Sequence, residues 1–416
     1  MSKVYIVPGK RIPFVKAGSH YASSDSIALS IPVVQAMAAE AKPDLMIWGQ
    51  VIPSPTISNL SRELMLEAGL DPEIPAFSTT LACSTSMVAT IQASGMVGRG
   101  GNHLVLIGGV ESMSHVPIAL TAKVAQNLAF LFATNPSEAM QMFKALSPGD
   151  FTLPIKGWAN RISGRSMGEH TEDTAQYFSI NREDQDQIAF DSHMKTIAAQ
   201  KTGFFDDLVL PFQSLEKDSI PRADSTLSKL ASLKTVFETT GDASLTAGNS
   251  SPLTDGAAGL WVSDEEGLKN IDSTYAVELV DWQITAMDYQ EEGILMAPAR
   301  AIPKVLARHK LKLDDVAVFE IHEAFAAQVL ANIKAVTDPE YRRKYAGVDF
   351  ELGAFPWDRL NLNGGSLAIG HPFGATGARI LSQAAKALSA RPSGSYGLVS
   401  ICADGGLGSV ALLRNL

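Results

Sequence analysis

The sequence predicts an α/β protein with buried sheets, and three observations carry that expectation. Short apolar runs recur along the chain: VYIV (4–7), LMIWGQV (45–51), LVLIGG (104–109), AVELVDWQI (276–284), AVFEI (317–321) and GLVSICA (397–403). Runs of this length, rich in Val, Ile and Leu, read as strands covered on both faces. Stretches of helical period lie between them, notably Ser84 to Val97 and Gly377 to Leu388. The composition is that of a folded chain: 416 residues, 46% hydrophobic and 19% charged, enough for two or three domains and too apolar for disorder.

Each element follows from its neighbours. VYIV runs into Pro8 and Gly9, too short for a signal-peptide core, so it reads as a first strand. Around Cys83 the order is turn, helix, then LVLIGG followed by Glu-Ser-Met. Around His371 it is Gly-rich turn, helix, then GLVSICA followed by Asp-Gly-Gly. LMIWGQV and AVFEI each precede a helix. Repeated order without repeated identity points to two related halves, which would put the two cysteines in equivalent regions.

The middle of the chain differs. Residues 120–245 hold few strands and most of the clustered basic residues, Lys156, Arg161, Arg165, Arg222, Lys229 and Lys234. Ala122 to Leu146 carries Val124, Leu128, Leu131 and Phe132 at helical spacing. It reads as a covering helix, with a membrane or partner-protein surface as the alternative. The longest apolar stretch, Val116 to Ala133, is interrupted by Lys123, so no transmembrane span is expected and a cytoplasmic protein is.

A net charge of −10 argues against a nucleic-acid binder, because duplex affinity rests on Lys and Arg against phosphates. It leaves room for a small anionic ligand on a local basic patch. The two cysteines, Cys83 and Cys402, cannot build a disulfide framework and form no CxxC pair for zinc, so no metal centre is expected.

Four segments can carry chemistry. In STTLACSTSMVATIQASGMV (78–97), Cys83 stands at a helix start, where free N–H groups and the dipole favour a thiolate. In NLNGGSLAIGHPFGATGAR (361–379), five glycines surround His371 and allow backbone to approach a ligand closely; no Gly-Lys-Ser/Thr follows, so this is not a P-loop. In FEIHEAFAAQ (319–328), His322 and Glu323 join a strand to a helix, and Glu323 reads as a carboxylate of the first helical turn. In SICADGGLGSV (400–410), Cys402 ends a strand and runs into a turn with exposed N–H groups. Together they offer a nucleophile, an activating base, a second acid/base and an oxyanion donor.

These blocks, in this order, resemble the thiolases, acyl-CoA acyltransferases that cleave or form 3-ketoacyl-CoA. LACSTSMVA, HEAFAAQ, NGGSLAIGHPFGATGAR and CADGGLG carry the resemblance. GGVESMSHVP (108–117), SMGEHTED (166–173), REDQDQIAFDSH (182–193) and LTAGNSSPLTDGAAGL (245–260) extend it over nearly the whole chain. His322, where many thiolases have Asn, resembles the HEAF type found in the β subunit of the β-oxidation trifunctional enzyme and bacterial relatives.

The resemblance implies a thiolase fold: two duplicated mixed-sheet halves in α-β-α-β-α layers, plus a mostly helical loop domain. The halves would span 1–120, completed by 246–272, and 273–416; residues 121–245 would form the loop domain and bind coenzyme A. It implies a degradative 3-ketoacyl-CoA thiolase of fatty-acid β-oxidation. Cys83 would be the nucleophile, His371 its base, and Cys402 the acid/base toward the acetyl-CoA enolate. His371 and His322 would hold the enolate oxygen; the backbone N–H groups of Cys83 and Asp404 would hold the tetrahedral oxyanion. Many thiolases have Gly where Asp404 stands, and an inward carboxylate there would oppose that oxyanion. Ser251, Arg222, Met167 and Phe325 would contact CoA or the acyl group.

No tightly bound cofactor is implied, CoA being a co-substrate. Expected partners are a second copy or three, as homodimer or homotetramer, and a hydratase/dehydrogenase α subunit. The alternatives are a biosynthetic acetoacetyl-CoA thiolase and, from another class, a non-catalytic acyl-CoA or lipid-binding scaffold.

Overall fold

The computed structural model describes residues 3–152, 159–239 and 241–416; Lys156 lies outside the described residues. The first series of elements is β1 (Tyr5–Arg11), β2 (Val15–Lys16), α1 (Ser26–Glu40), β3 (Leu45–Gly49), α2 (Leu60–Glu67), β4 (Ala76–Phe77), α3 (Thr85–Met96) and β5 (Leu104–Glu111). A middle segment holds β6 (Ala119–Leu120), α4 (Ala122–Thr134), α5 (Pro136–Lys144), β7 (Phe151–Thr152), α6 (Met167–Tyr177), α7 (Arg182–Lys201) and α8 (Leu227–Ala231). Then β8 (Thr254–Ser263) returns to the first series. The second series is β9 (Val277–Ala286), α9 (Tyr289–Glu292), α10 (Ala297–His309), β10 (Val316–Ile321), α11 (Ala326–Thr337), α12 (Pro339–Tyr341), α13 (Ser366–Ile369), α14 (Thr376–Ser389), β11 (Tyr396–Ala403) and β12 (Leu407–Asn415).

The large sheet has ten strands in the order β10-β11-β12-β9-β1-β8-β5-β3-β4, with β2 on β8. In the first series β3 and β5 are parallel, while β5 with β8 and β8 with β1 are antiparallel. The second series repeats this: β10 and β11 are parallel, β11 with β12 and β12 with β9 antiparallel. The two parts join where Tyr5 meets Glu278 and Ile6 meets Val277.

Side chains alternate along each strand, and the two faces go to different layers. Ile47, Ile107, Leu260, Val399, Ile401 and Leu413 point at a shared core that contains Met87 and Ile91 of α3 and Ile380 and Leu381 of α14. Met46, Trp48, Leu106 and Trp261 point the other way, onto Leu29 and Val33 of α1 and Leu64 of α2. Leu398, Val410 and Leu412 turn outward onto Ile302 and Val305 of α10 and Val329 of α11. The result is an α-β-α-β-α stack with α3 and α14 in the middle.

Two expectations change. The segment from Ala122 is not one helix, because Asn135 closes α4, caps α5 through Glu138 N, and is followed by Pro136. Nor does the pair cover the core: Leu128 and Ala139 are buried, while Phe130, Phe132, Met140 and Phe143 are exposed. The cysteines are not topological equivalents either. Cys83 precedes α3, whereas Cys402 lies in β11, whose counterpart β5 ends at Glu111. No helix among the described residues is long and apolar enough to cross a membrane.

The crossing of α3 and α14 is set by Gly377. A Cβ there would fall 2.3 Å from the backbone nitrogen of Met87 and 2.9 Å from Ser86 Oγ. Ala378 N donates to Ser86 Oγ at 2.8 Å across the same contact. Helix propensity alone predicts that Gly377→Ala stabilises by about 1 kcal/mol. The backbone clash predicts the opposite, a loss of about 1–3 kcal/mol. A lowered urea midpoint with unchanged slope is the expected result; a raised midpoint would refute the contact.

Candidate active site

The turn into α3 is strained. Ala82 has φ 44°, a left-handed conformation unusual for a residue with a Cβ. Thr85 Oγ1 clasps it, accepting from Leu81 N at 2.9 Å and donating to Ala82 O at 2.8 Å. This turn sets Cys83, half-buried, just ahead of the helix.

His322 continues β10, its N–H donating to Ser400 O of β11 at 2.9 Å. The next residue, Glu323, is not a first-turn carboxylate of α11, which begins only at Ala326. Buried at 2% exposure, it accepts from Ser192 Oγ (2.7 Å), Asn361 Nδ2 (2.6 Å) and Leu367 N (3.1 Å). It thereby anchors the Gly-rich loop against β10 and α7. Gly365 is required there, since a Cβ would fall 2.3 Å from that carboxyl.

The anchored loop delivers His371, whose N–H donates to Thr254 Oγ1 at 2.9 Å and whose Nδ1 is 2.7 Å from Thr376 Oγ1. The Nε2 atoms of His322 and His371 are 3.2 Å apart. With the sulfur of Cys83, each of these ligand-type atoms lies within 4.8 Å of the others. Cys402 is 1% exposed and packs with Leu295, Ala324 and Phe325; its thiol is close enough to feel charge on Cys83.

Burial dominates the electrostatics. It pushes the Cys83 thiol up to about 12, with Asp404 and Glu111 adding to the rise and the backbone N–H groups of Cys83 and Asp404 opposing it. Cys402 is pushed well above the usual thiol range by burial and then by Cys83. His371 is driven down to about 3 by burial and then Arg379, and His322 well below its usual value by burial, His371 and Arg379. The resting site therefore holds two neutral thiols and two neutral imidazoles. The thiolate expected from the dipole of α3 does not form at rest, because desolvation outweighs the helix terminus.

The side chain of Asp404 does not point freely inward: Oδ1 accepts from Asn160 Nδ2 at 2.7 Å. Its charge still reaches Cys83 and raises the thiol's pKa. Glu111 is a site residue that motif reading passed over. It is 1% exposed and pushed up to about 7 by burial, and it accepts from Val51 N, Ile52 N and Gly374 N. The available signal was a carboxylate closing a fully buried strand, in GGVESMSHVP.

Among the other expected residues, Met167 opens α6 and joins Cys402, Phe325 and Leu245 in one apolar cluster. Phe325 stacks edge-on to Phe237 at 5.7 Å. Ser251 N donates to Ala324 O at 3.0 Å, and Leu253 bridges to His371, so the 250–254 segment lines the same site. Arg222 is exposed two residues beyond Ile220, which abuts Gly370. The basic residues of the middle segment do not act as one free patch: Arg165 is engaged by Asp173 and Glu238, and Lys229 by Asp224.

Residues 4–266 match the model of the thiolase N-terminal domain, and residues 273–415 that of the thiolase C-terminal domain. The chain is 34% identical to the 3-ketoacyl-CoA thiolase of Shewanella amazonensis, covering 99% of this chain and 97% of that protein. It is 33% identical to the 3-ketoacyl-CoA thiolase of Photorhabdus laumondii, with the same coverage. Among solved structures it is similar to Bacillus anthracis acetyl-CoA acetyltransferase (TM-score 0.82, 29% identity, 100% and 99% of the two chains). It is also similar to the Acat5 thiolase of Ascaris suum solved with coenzyme A (TM-score 0.81, 25% identity, 100% of both chains). The chain belongs to the thiolase family.

Proposed function

We propose that this protein is a 3-ketoacyl-CoA thiolase, transferring the acyl group of a 3-ketoacyl-CoA to coenzyme A through Cys83. The observation that carries this reading is the convergence of Cys83, the two Nε2 atoms of His322 and His371, and Cys402 in one buried site.

The reaction follows from the resting protonation. Neutral His371 takes the Cys83 proton as sulfur attacks C3 of the substrate, so charge appears only with the substrate in place. The tetrahedral oxyanion on C3 is held by the N–H groups of Cys83 and Asp404, the same donors that face the sulfur. The C2–C3 bond breaks, leaving acyl-Cys83 and an acetyl-CoA enolate. Cys402, protonated at rest, gives its proton to C2 of that enolate, whose oxygen lies against the imidazoles of His371 and His322. In the second half-reaction Cys402 takes the thiol proton of CoA, whose sulfur attacks the acyl carbon; the Cys83–acyl bond breaks, and the departing Cys83 sulfur takes back the proton held by His371. Positioned acid–base help of this kind is worth roughly 10²–10⁴ in rate. The apolar cluster of Met167, Phe325, Leu295 and Phe237 borders the site on the Cys402 side and suits a hydrocarbon acyl chain. The same reading includes coenzyme A contacts through Ser251 and Arg222 and assembly as a homodimer or homotetramer.

Thiolysis across a series of 3-ketoacyl-CoA chain lengths tests the activity, with turnover expected to extend beyond the four-carbon substrate. Activity confined to acetoacetyl-CoA would instead favour the biosynthetic reading, and no thiolysis at any length would overturn both. Cys83→Ala should take up no acyl group, and Cys402→Ala should acylate at Cys83 but lose turnover by about 10²-fold or more. Normal turnover in Cys402→Ala would remove its acid/base role.

Holding His371 neutral also ties stability to pH. Its imidazole titrates near 6.5 unfolded and about 3 folded, so its stabilising contribution is full above pH 6.5 and is lost as pH falls toward 3. His371→Asn removes that dependence. Between pH 6 and 4 the unfolding free energy of the variant should fall less steeply than wild type, by up to about 1.4 kcal/mol per pH unit. Parallel curves from chemical denaturation would show that His371 is not held neutral.

A further inference from the structure

Two buried residues stand behind His322, on the side away from Cys83, and the proposed reaction gives them no part. Ser366 opens α13 and is fully buried; Arg379 lies in the first turn of α14 and is 3% exposed. Arg379 Nη2 donates to Ser366 Oγ at 2.6 Å, and Ser366 Oγ is 2.9 Å from His322 Nδ1. A guanidinium only donates, so the hydroxyl hydrogen of Ser366 is not directed at Arg379. The acceptor it meets is His322 Nδ1. His322 therefore carries its own hydrogen on Nε2.

A separate chain of contacts fixes His371 the opposite way. Thr376 Oγ1 donates to Pro372 O at 2.8 Å, so toward the ring it accepts, and His371 Nδ1 donates to it at 2.7 Å. His371 Nε2 is left with a lone pair. The two Nε2 atoms, 3.2 Å apart, thus present one hydrogen and one lone pair. Two unconnected networks assign complementary roles to the two rings, and that agreement is the strength of the argument.

We infer that Arg379, acting through Ser366, is a positioning residue that locks His322 as an Nε2–H donor, so that His371 alone serves as the base. The inference rests on the thiolase reading for its consequence in catalysis, but not for the tautomer itself.

The lock also guards the site. Cys83, His322 and His371 place a sulfur and two imidazole nitrogens within 4.8 Å of one another. The 3.2 Å between the nitrogens is near the edge of a zinc tetrahedron, about 3.3 Å for Zn–N bonds of 2.0–2.1 Å. A divalent zinc ion needs a lone pair on each nitrogen. To supply one, His322 must carry its hydrogen on Nδ1, which leaves the buried Ser366 hydroxyl without an acceptor. Arg379 and Ser366 therefore hold a soft-metal site closed while they hold a hydrogen-bond donor ready.

The tautomer and zinc measurements use the full-length protein without any acyl-CoA, so they stand or fall apart from the activity. In protein labelled with ¹⁵N-histidine, the long-range ¹H–¹⁵N spectrum should show His322 as the Nε2–H form and His371 as the Nδ1–H form. An Nδ1–H pattern for His322 overturns the inference with no variant needed. Ser366→Ala frees the ring, and zinc, followed by competition with a chromophoric chelator, should bind about 10-fold more tightly or better. Cys83→Ala in that background should abolish the gain. In the same Ser366→Ala protein the acylation rate should fall while KM stays near wild type. A merely structural role predicts that activity and zinc binding decline together, and that outcome, or an unchanged zinc affinity, refutes the lock.

Discussion

The site depends on one contact, the crossing of α3 and α14 in the middle layer. Each helix belongs to a different half of the duplicated topology, and each is preceded by a turn that carries a group of the proposed reaction, Cys83 before α3 and His371 before α14. The groups can meet only if the helices approach almost backbone to backbone. Gly377 allows that approach, and the Ala378 to Ser86 hydrogen bond fixes its register. Glu111 adds a second tie at the same level, binding the loop after β3 to Gly374 just before α14. Packing near crystalline density gives these contacts no slack, so the distance between sulfur and imidazole is inherited from the core.

Burial then decides the chemistry. Thiols and imidazoles withdrawn from water are held neutral, and both Asp404 and Glu111 oppose a free thiolate at Cys83. In the proposed reaction the proton therefore stays on sulfur until a carbonyl carbon is there to take the electron pair. A neutral resting site also spares the fold a buried ion pair, whose desolvation would cost several kcal/mol per ion. What the site supplies instead is fixed donors: the N–H groups of Cys83 and Asp404, and the oriented rings.

Much of this was legible in the residues. The six apolar runs became β1, β3, β5, β9, β10 and β11 within one or two residues at each end, apart from the C-terminal end of β1, which runs on to Arg11, because buried strands advertise themselves in Val, Ile and Leu. Strands β8 and β12, TDGAAGLWVS and LGSVALLRN, were less visible, since small residues weaken a hydrophobic pattern even where every position is buried or nearly so. Cys83, His322, His371 and Cys402 were marked by the turns that hold them. Glu111, Ser366 and Arg379 were not, because a polar side chain buried against backbone groups looks in sequence like any surface polar residue. From Ala122 the helical period holds within α4 and α5 but not across Asn135, and it does not foretell burial: period reports that one face is apolar, not what covers it.

The two thiols differ in a way that suits the two roles proposed for them. Cys83 sits half-open after a strained turn, with its own N–H and that of Asp404 directed at the sulfur. Those donors are placed for an oxygen that forms when the sulfur bonds to carbon. Cys402 lies within a strand, 1% exposed and among apolar neighbours, with Cys83 raising its pKa further. A thiol so placed keeps its proton until an enolate demands it, and regains one readily from the thiol of coenzyme A. Burial, the larger of the two causes, acts on Cys402 whether or not Cys83 carries an acyl group. In the proposed reaction this contrast separates the steps: Cys402 serves as an acid only after Cys83 has taken the acyl group, and as a base only once its own proton is gone.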